Sequence, residues 1–282
     1  MNMQPSDREK KTSPYKVQVL DRVLAILDAL STERGDASVG ELSEALKLHK
    51  STVHRLLMIL SHYRMVEREE NTGRYHLGLK LFELGTVAIG KFNIRERART
   101  HLQRLLDEVD ETVHLCVLDG GEVLYLDKIE STRSIRMACR TGRRNPAHCT
   151  AVGKAILAHL PEREVDEVLK QHGLPRFTPR TITSPAAFKA ELRAIRERGY
   201  SVDDEEVEEG VRCVGAAVLG RHGRPLAAVS VSSPAFRVTM EKVPIVAAAL
   251  CRAARAISKE SGYHGIWKPE VLGIPQLSSV GD

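Results

Sequence analysis

Paired cysteines, long apolar runs and nucleotide-binding glycine motifs are all missing from this sequence of 282 residues. The five cysteines are scattered and never stand in a CxxC pair, which argues against a disulfide framework and a zinc site. No apolar run reaches the roughly 18 to 20 residues that a membrane-spanning helix needs. The opening MNMQPSDREKKTSPYK holds no apolar signal-peptide core. We therefore expect a cytosolic protein with reduced thiols and no membrane partner.

The glycine pair in DGGEVLYLD belongs to a predicted hairpin turn and lacks the following helix that a phosphate-binding or dinucleotide motif requires. We accordingly expect no cofactor and no metal. The chain carries 42 basic and 37 acidic residues, for a formal charge of +5, which permits an anionic partner without identifying DNA. The length and the apolar content of 42% are sufficient for two hydrophobic cores, so we expect two domains.

Three short helices are predicted after a polar lead over residues 1–14 that we expect to be disordered. Gly35 and small polar residues end the first helix, and Ser38 is a suitable N-cap for the second, VGELSEALK. A third helix follows after two or three residues. Apolar residues recur at helical steps in the first and third helices, at Leu20, Val23, Leu24, Leu27 and Leu30 and at Val53, Leu56, Leu57 and Leu60.

A β-hairpin is predicted immediately after the third helix. MVEREENTGRYHLG holds two short strand-like runs on either side of ENTG, where Asn71 and Gly73 tolerate a positive φ. Three helices followed by such a hairpin are typical of a winged helix-turn-helix domain, which we place at residues 15–78.

The start of the third helix is the candidate DNA-binding surface. We expect Ser51 or Thr52 to cap its first amides or to donate to phosphate oxygens, Arg55 to read a guanine edge and Lys50 to bind a phosphate. Arg74 in the hairpin is expected to reach the neighbouring minor groove or the backbone. The alternative is a helical hairpin whose hydroxyls only cap and whose charges are merely solvated. The candidate DNA-binding residues are His49, Lys50, Ser51, Thr52, His54, Arg55 and Arg74.

Residues 79–92 form a predicted linker helix, and the helical pattern continues to about Val109 with a bend near FNIRER. An apolar stripe at Leu81, Leu84, Val87 and Ala88 favours a linker that also dimerises. The alternative is one more internal helix of a single domain.

A second, α+β domain with an antiparallel sheet is predicted over residues 93–265, followed by a loose tail at 266–282. TVHLCVLDGGEVLYLDKI is a predicted hairpin and SIRMAC a further strand. TAVGKAILAHL, EREVDEVLKQH and AAFKAELRAIRERG are predicted helices, RCVGAAVL and LAAVSVSS are predicted strands, and a long helix runs from about Thr239 to Glu260. This order is typical of a sensor domain that encloses a small molecule.

Six motifs, in order along residues 15 to 262, resemble the IclR family of bacterial transcription regulators. They are VQVLDRVLAILDAL, HKSTVHRLLMIL, ENTGRYHLG, GRRNPAHCTAVGKAILA, YSVDDEEVEEGVRCVGAAVL and AVSVSSPAFR. The resemblance implies a winged helix-turn-helix domain that binds double-stranded operator DNA, a linker helix and a GAF-like effector-binding domain. It also implies homodimers that often form tetramers, and repression as the commoner mode of regulation.

The resemblance further implies a small organic-acid effector. Exposed amides at a helix start favour a carboxylate, a thiol and serine hydroxyls can bond its oxygens, and Asp203 would bind a hydroxyl or hydrated carbonyl. The residues that match are Thr150, Ala151, Asp203, Cys213, Ser230 and Ser232, with Arg136, Met137 and Arg140 as further candidates for the pocket lining. The alternatives are that Cys213 is a small core residue, that the serines are ordinary strand residues, and that DDEEVEE is a solvated loop.

Two other functions remain open from the sequence. A thiol-based redox sensor on the same scaffold would report through Cys213 or Cys149 and would need an exposed thiolate. An enzyme would need a nucleophile, an orienting group and an oxyanion site. His148 next to Cys149 does not complete such a set, so we expect no catalytic residue and no enzymatic activity.

Overall fold

The computed structural model describes residues 17–32, 34–90, 94–134 and 140–265. The chain divides into two units, residues 1–92 and 93–282, and each is described by itself. No helix in the described ranges is long and apolar enough to cross a membrane. The predicted lead, the tail, most of the SIRMAC strand and the first two residues of the FNIRER bend fall outside the described residues.

The N-terminal unit packs three helices against a small sheet. One face of each helix contributes to a core that includes Ile26, Leu30, Leu42, Leu57 and Tyr75, all at most 2% exposed. The sheet is antiparallel with the order β1-β3-β2. The elements are α1 Gln18–Leu30, β1 Asp36–Ala37, α2 Val39–Leu46, α3 Lys50–His62, β2 Val66–Arg68, β3 Tyr75–Leu77 and α4 Leu79–Gly90.

Ser38 caps α2, as predicted, through a capping box. Its hydroxyl accepts from the Glu41 amide, and the Glu41 carboxylate accepts from the Ser38 amide. The predicted cap of α3 by Ser51 or Thr52 is wrong. The helix starts two residues earlier than a cap at Ser51 requires, with His49 in the N-cap position and, within the described part of the chain, no side-chain hydrogen bond from His49 to the first turn. Ser51 and Thr52 are therefore helical residues of the first turn.

The wing forms where the sequence predicts it, between β2 and β3. Arg68 pairs with Tyr75, and the turn between them reverses at Gly73, whose φ of +67° favours glycine. The strand β1 is not predicted by the sequence because its two residues are extended only through pairing with β3.

The C-terminal unit is a six-stranded antiparallel sheet with helices on both faces, in the strand order β6-β5-β4-β9-β8-β7. Its helices are α5 Ile94–Val109, α6 Ala151–Leu157, α7 Glu162–His172, α8 Pro185–Arg198 and α9 Val243–Glu260. Its strands are β4 Thr112–Asp119, β5 Glu122–Ile129, β6 Arg144–Pro146, β7 Ser201–Asp204, β8 Val211–Leu219 and β9 Pro225–Pro234. The mixed α+β class with an antiparallel sheet is confirmed.

The two faces of this sheet hold separate cores. Alternate residues such as Val113, Leu115 and Val231 pack against α5 and α9. The intervening residues face α6 and α8, and here Cys116 and Ala228 contribute to a second apolar cluster. Further along the same strands, on the α6 side, the side chains become polar although they remain buried.

Candidate nucleic-acid interface and effector site

The start of α3 presents the predicted DNA-binding residues on one exposed surface. Val53, Leu56, Leu57 and Leu60 are buried and fix the opposite face of the helix in the N-terminal core. Thr52 is half-buried, and the other residues of this group are exposed, namely His49, Lys50, Ser51, His54 and Arg55. The arrangement leaves the first two turns of α3 free to approach a groove of DNA.

Arg74 occupies a different environment, because its guanidinium is held by two carboxylates. It lies 2.9 Å from Asp36 Oδ1 and 2.7 Å from Glu41 Oε2, and only 19% of the side chain is exposed. Bonds from Ser38, together with Arg74, lower the pKa of Glu41 to about 2. Arg74 therefore joins the wing strand to β1 and α2. Its contact with DNA stays a prediction, and it would require these ion pairs to open.

The predicted effector residues converge on one face of the C-terminal sheet. Residues that stand opposite each other on neighbouring strands share a face, so strand pairing defines two rows there. The first row, across β7, β8, β9 and β4, is Asp203, Cys213, Ser232 and Thr112. The second row is Ser201, Gly215, Ser230 and His114. We call these eight residues the polar band.

Burial distinguishes the polar band from an ordinary strand surface. Ser230 is 3% exposed, Ser232 6% and Asp203 3%, so the polar groups of all three are almost completely removed from water. Buried polar groups are normally paired, so a concentration of them on one sheet face marks a candidate binding site. Ser230 and Ser232 occupy alternate positions of β9, so the buried polar side chains extend to an interior strand of the sheet.

The start of α6 lies against the polar band. Thr150 is its N-cap and accepts from the amide of Gly153 at 3.2 Å. The hydroxyl of Ser201 donates to the carbonyl of Ala151 at 2.6 Å, and a Cβ on Gly215 would come within 2.7 Å of Ala151. Glycine at 215 therefore permits the contact. Because α6 has only seven residues, individual amides rather than a helix dipole would have to bind a carboxylate.

Asp203 is buried at the β7 end of the polar band. Its Oδ1 accepts from the amide of Glu206 at 2.8 Å, and burial raises its pKa to about 7. Lys154 and Glu206 form a buried ion pair next to it, and Lys154 also donates to the carbonyl of Val202 at 2.5 Å. The sequence interpretation overlooked this pair, although a lysine within the apolar run AVGKAIL was the available signal.

The thiols near the site differ in their surroundings. Cys149 is fully buried, and burial raises its pKa well above the usual range, which opposes thiolate formation. His148 contacts the carbonyl of Pro175 through Nε2, and burial lowers its pKa. Cys213 is half-buried, whereas Cys139 lies outside the described residues, as do Arg136 and Met137. No group of three metal-ligating side chains occurs within the described ranges.

Comparison with known proteins identifies both units. Residues 19–70 match the IclR helix-turn-helix domain, and residues 86–259 match the C-terminal domain of bacterial IclR transcriptional regulators. The chain is 39% identical over 262 residues to the HTH-type transcriptional regulator KdgR of Escherichia coli K12, covering 93% of this chain and 98% of that protein.

Solved structures agree with this match. The Thermotoga maritima IclR crystal structure is 40% identical, with a TM-score of 0.75 over 88% of this chain and 100% of that one. An IclR homologue from Microbacterium hydrocarbonoxydans, complexed with 4-hydroxybenzoate, is 27% identical, with a TM-score of 0.75 over 86% of this chain and 98% of that one. The chain therefore belongs to the IclR family and is a DNA-binding transcriptional regulator rather than an enzyme.

Proposed function

We propose that this regulator is a repressor that binds operator DNA as a homodimer and whose affinity for DNA is set by a small organic acid bound at the polar band. The observation that carries the proposal is the burial of Asp203, Ser230 and Ser232 on one sheet face, next to the start of α6. These groups lie in the C-terminal unit, whereas the candidate DNA-binding helix α3 lies in the N-terminal unit.

The DNA-binding half of the proposal rests on the exposed start of α3. Arg55 has the length and the forked donors to read a guanine edge, whereas Lys50 at the first helical position suits a phosphate. Ser51 and Thr52 are helical rather than capping residues, which leaves their hydroxyls for phosphate oxygens. His49 and His54 flank these contacts. Arg74 contributes only if its ion pairs open.

Dimerisation is proposed to use the linker helix α4. Phe82 and Val87 are 73% and 70% exposed, and Leu79 and Leu84 are 62% and 48% exposed. Large apolar side chains exposed along one helix are typical of a surface that a second chain covers. A homodimer, which can assemble further into a tetramer, would place two copies of α3 on a pseudo-palindromic operator.

The effector is proposed to contact Thr150, Ala151, Asp203, Cys213, Ser230 and Ser232. Hydroxyl and amide donors suit the oxygens of a carboxylate. Asp203 suits a hydroxyl or hydrated carbonyl, because a carboxyl group with a raised pKa can donate as well as accept. A bound 4-hydroxybenzoate in the Microbacterium homologue supports a small acid as the class of ligand.

The test is to measure binding of the purified full chain to a labelled fragment of its own promoter, with and without a panel of organic, aromatic and sugar acids. Thermal shift identifies which acid binds, because a ligand of the folded state raises the unfolding midpoint. We expect one acid both to raise the midpoint and to change operator affinity. If every acid leaves both quantities unchanged, the proposal is wrong.

A thiol sensor is the less well supported function. Cys149 is fully buried with a raised pKa, so it would react slowly with peroxide. Peroxide that altered operator binding where acids did not would favour Cys213 as a sensor and would overturn the acid effector.

A further inference from the structure

Two polar side chains of β4 remain without an assigned role after the effector residues are placed. Thr112 is 0% exposed and His114 is 2% exposed, and both belong to the polar band. Thr112 Oγ1 and His114 Nε2 have no hydrogen-bond partner among the residues that the structure describes. Buried polar atoms in folded proteins are rarely left unpaired, because nothing replaces their lost bonds to water. These two atoms are therefore positioned for a partner outside the described chain.

Two neighbouring side chains, those of Ser232 and Tyr125, fix the ring of His114 and leave its Nε2 unpaired among the described residues. Its Nδ1 lies 3.3 Å from the hydroxyl of Ser232, and its plane meets the ring of Tyr125 edge-on at 5.2 Å between centroids. Burial, together with the charge of Lys128, lowers the pKa of His114 to about 3, so the imidazole is neutral. A neutral imidazole offers one donor or one acceptor at Nε2 and no positive charge for a carboxylate.

The position of these residues extends the site by one strand. Thr112 stands opposite Ser232 and His114 opposite Ser230. Strand β4 therefore supplies the end of the polar band that lies about 5 Å beyond β9. The residues implied by the family resemblance lie on β7, β8, β9 and the start of α6. A ligand that contacts both sets must therefore carry polar atoms at two places.

We infer that Thr112 and His114 form a second half of the effector site that binds a hydroxyl group, so that the effector is a carboxylic acid with a hydroxyl on its carbon skeleton. The inference rests on the proposed function. A hydroxyl both donates and accepts, as do the threonine hydroxyl and the serine hydroxyls next to it. A carboxylate only accepts, and an unsubstituted carbon chain would leave both buried atoms unpaired.

The test uses pairs of acids that differ in their hydroxyl groups, namely glycerate and propionate, gluconate and hexanoate, and 4-hydroxybenzoate and benzoate. Their affinities for the full chain are measured by calorimetry. The variants are Thr112→Val, which keeps the shape of the side chain, and His114→Phe, which keeps the ring packing on Tyr125. Ser233→Ala is the matched control, because its hydroxyl contacts the carbonyl of Pro234 on the other face of β9.

We expect at least one hydroxylated acid to bind more tightly than its partner, and each variant to reduce that preference by about 3- to 10-fold. Affinity for the acid without the hydroxyl should stay unchanged in both variants, and Ser233→Ala should change neither affinity. Because Thr112 Oγ1 has no protein partner in the described residues, Thr112→Val should also fold with undiminished stability.

Two results overturn the inference alone. One is equal affinity within every pair of acids, and the other is a preference for the hydroxylated acid that survives in Thr112→Val and His114→Phe. If no acid of either kind binds the wild-type chain, the proposed organic-acid effector fails, and this inference fails with it.

Discussion

The ammonium group of Lys154 donates to the carboxylate of Glu206 inside the C-terminal unit, where 1% of the lysine and 7% of the glutamate side chain are exposed. Such a pair contributes little net stability, because both charges lose their hydration. Removing one partner is costly, since the other charge stays buried. The pair links α6 to the loop after β7, and the loss of either residue alone should destabilise this link.

Lys154→Met should lower the free energy of unfolding by about 3 to 5 kcal/mol, because Glu206 would remain buried without a counter-charge. Lys154→Met combined with Glu206→Leu should lose less than Lys154→Met alone. Urea denaturation measures both. A double variant less stable than Lys154→Met would contradict this account, because removing the unpaired carboxylate of Glu206 should relieve the cost of its burial.

Asp203 makes stability depend on pH in a defined direction. Its pKa is raised from 3.8 to about 7 in the folded chain, so between these values the folded state binds a proton that the unfolded state has released. Stability from this group is present below about pH 4 and is lost as the pH rises towards 7, with a slope of up to about 1.4 kcal/mol per pH unit.

Asp203→Asn should remove this slope, since an amide does not titrate and its oxygen can still accept from Glu206. The measurement is denaturant unfolding at pH 5, 6, 7 and 8. Asp107→Asn, at an exposed position of α5, is the control and should keep the wild-type slope. A wild-type slope that persists in Asp203→Asn contradicts the assignment.

Arg55→Ala should reduce discrimination between operator and mismatched DNA by about 1 to 3 kcal/mol if Arg55 reads a guanine. Lys50→Ala should instead lower affinity evenly across sequences and flatten its dependence on salt. Anisotropy titrations at several salt concentrations separate the two effects. Arg163→Ala, at a side chain 90% exposed in the C-terminal unit, is the control for a general loss of charge. Wild-type affinity in the Lys50→Ala, Arg55→Ala double variant would exclude α3 as the reading helix.

Leu84→Glu with Val87→Glu should dissociate the proposed dimer and weaken operator binding, because two carboxylates would replace exposed apolar side chains on α4. The dimer is expected to match half-sites about 34 Å apart, or a multiple of that distance. Analytical ultracentrifugation at micromolar concentration reports the assembly state. A wild-type monomer that binds its operator at full strength would contradict the proposed interface.

Ser230→Ala with Ser232→Ala should abolish the response to the effector and leave operator binding intact, since both hydroxyls lie in the C-terminal unit. Each hydrogen bond to an ionised carboxylate contributes about 1.5 to 3 kcal/mol, so the double variant should bind the effector at least about a hundredfold more weakly. Calorimetry measures the affinity. An unchanged value would move the effector site away from the polar band.

The parts of the fold that sequence predicts are those with local signals. Helix α7 and the β4–β5 hairpin follow from apolar periodicity and from the DGG turn. Strands β1, β6 and β7 have two to four residues, and their extended form comes from pairing with other strands. Only tertiary context reveals them, as it does the start of α3 at Lys50.

The candidate site divides in the same way. Ser230 and Ser232 are recognisable in the sequence as alternate residues of one strand, and the family resemblance predicts that they contact the effector. Thr112 and His114 look like any strand residues until the register of β4 against β9 places them beside those serines. Register is a long-range property, and periodicity within one strand does not encode it.

Successive side chains of β4 and β9 point to opposite faces of the sheet, so one face packs in the core and the other carries the polar band. Val113, Leu115, Val229 and Val231 support the core under α5 and α9, while the residues between them form the polar band. Substitutions at the intervening positions should therefore leave the opposite core in place while changing the proposed binding surface. Under the proposed function, descendants of such a chain would exchange one signal molecule for another through a few changes at 112, 114, 230 and 232, while the scaffold that responds to the signal would be inherited unchanged.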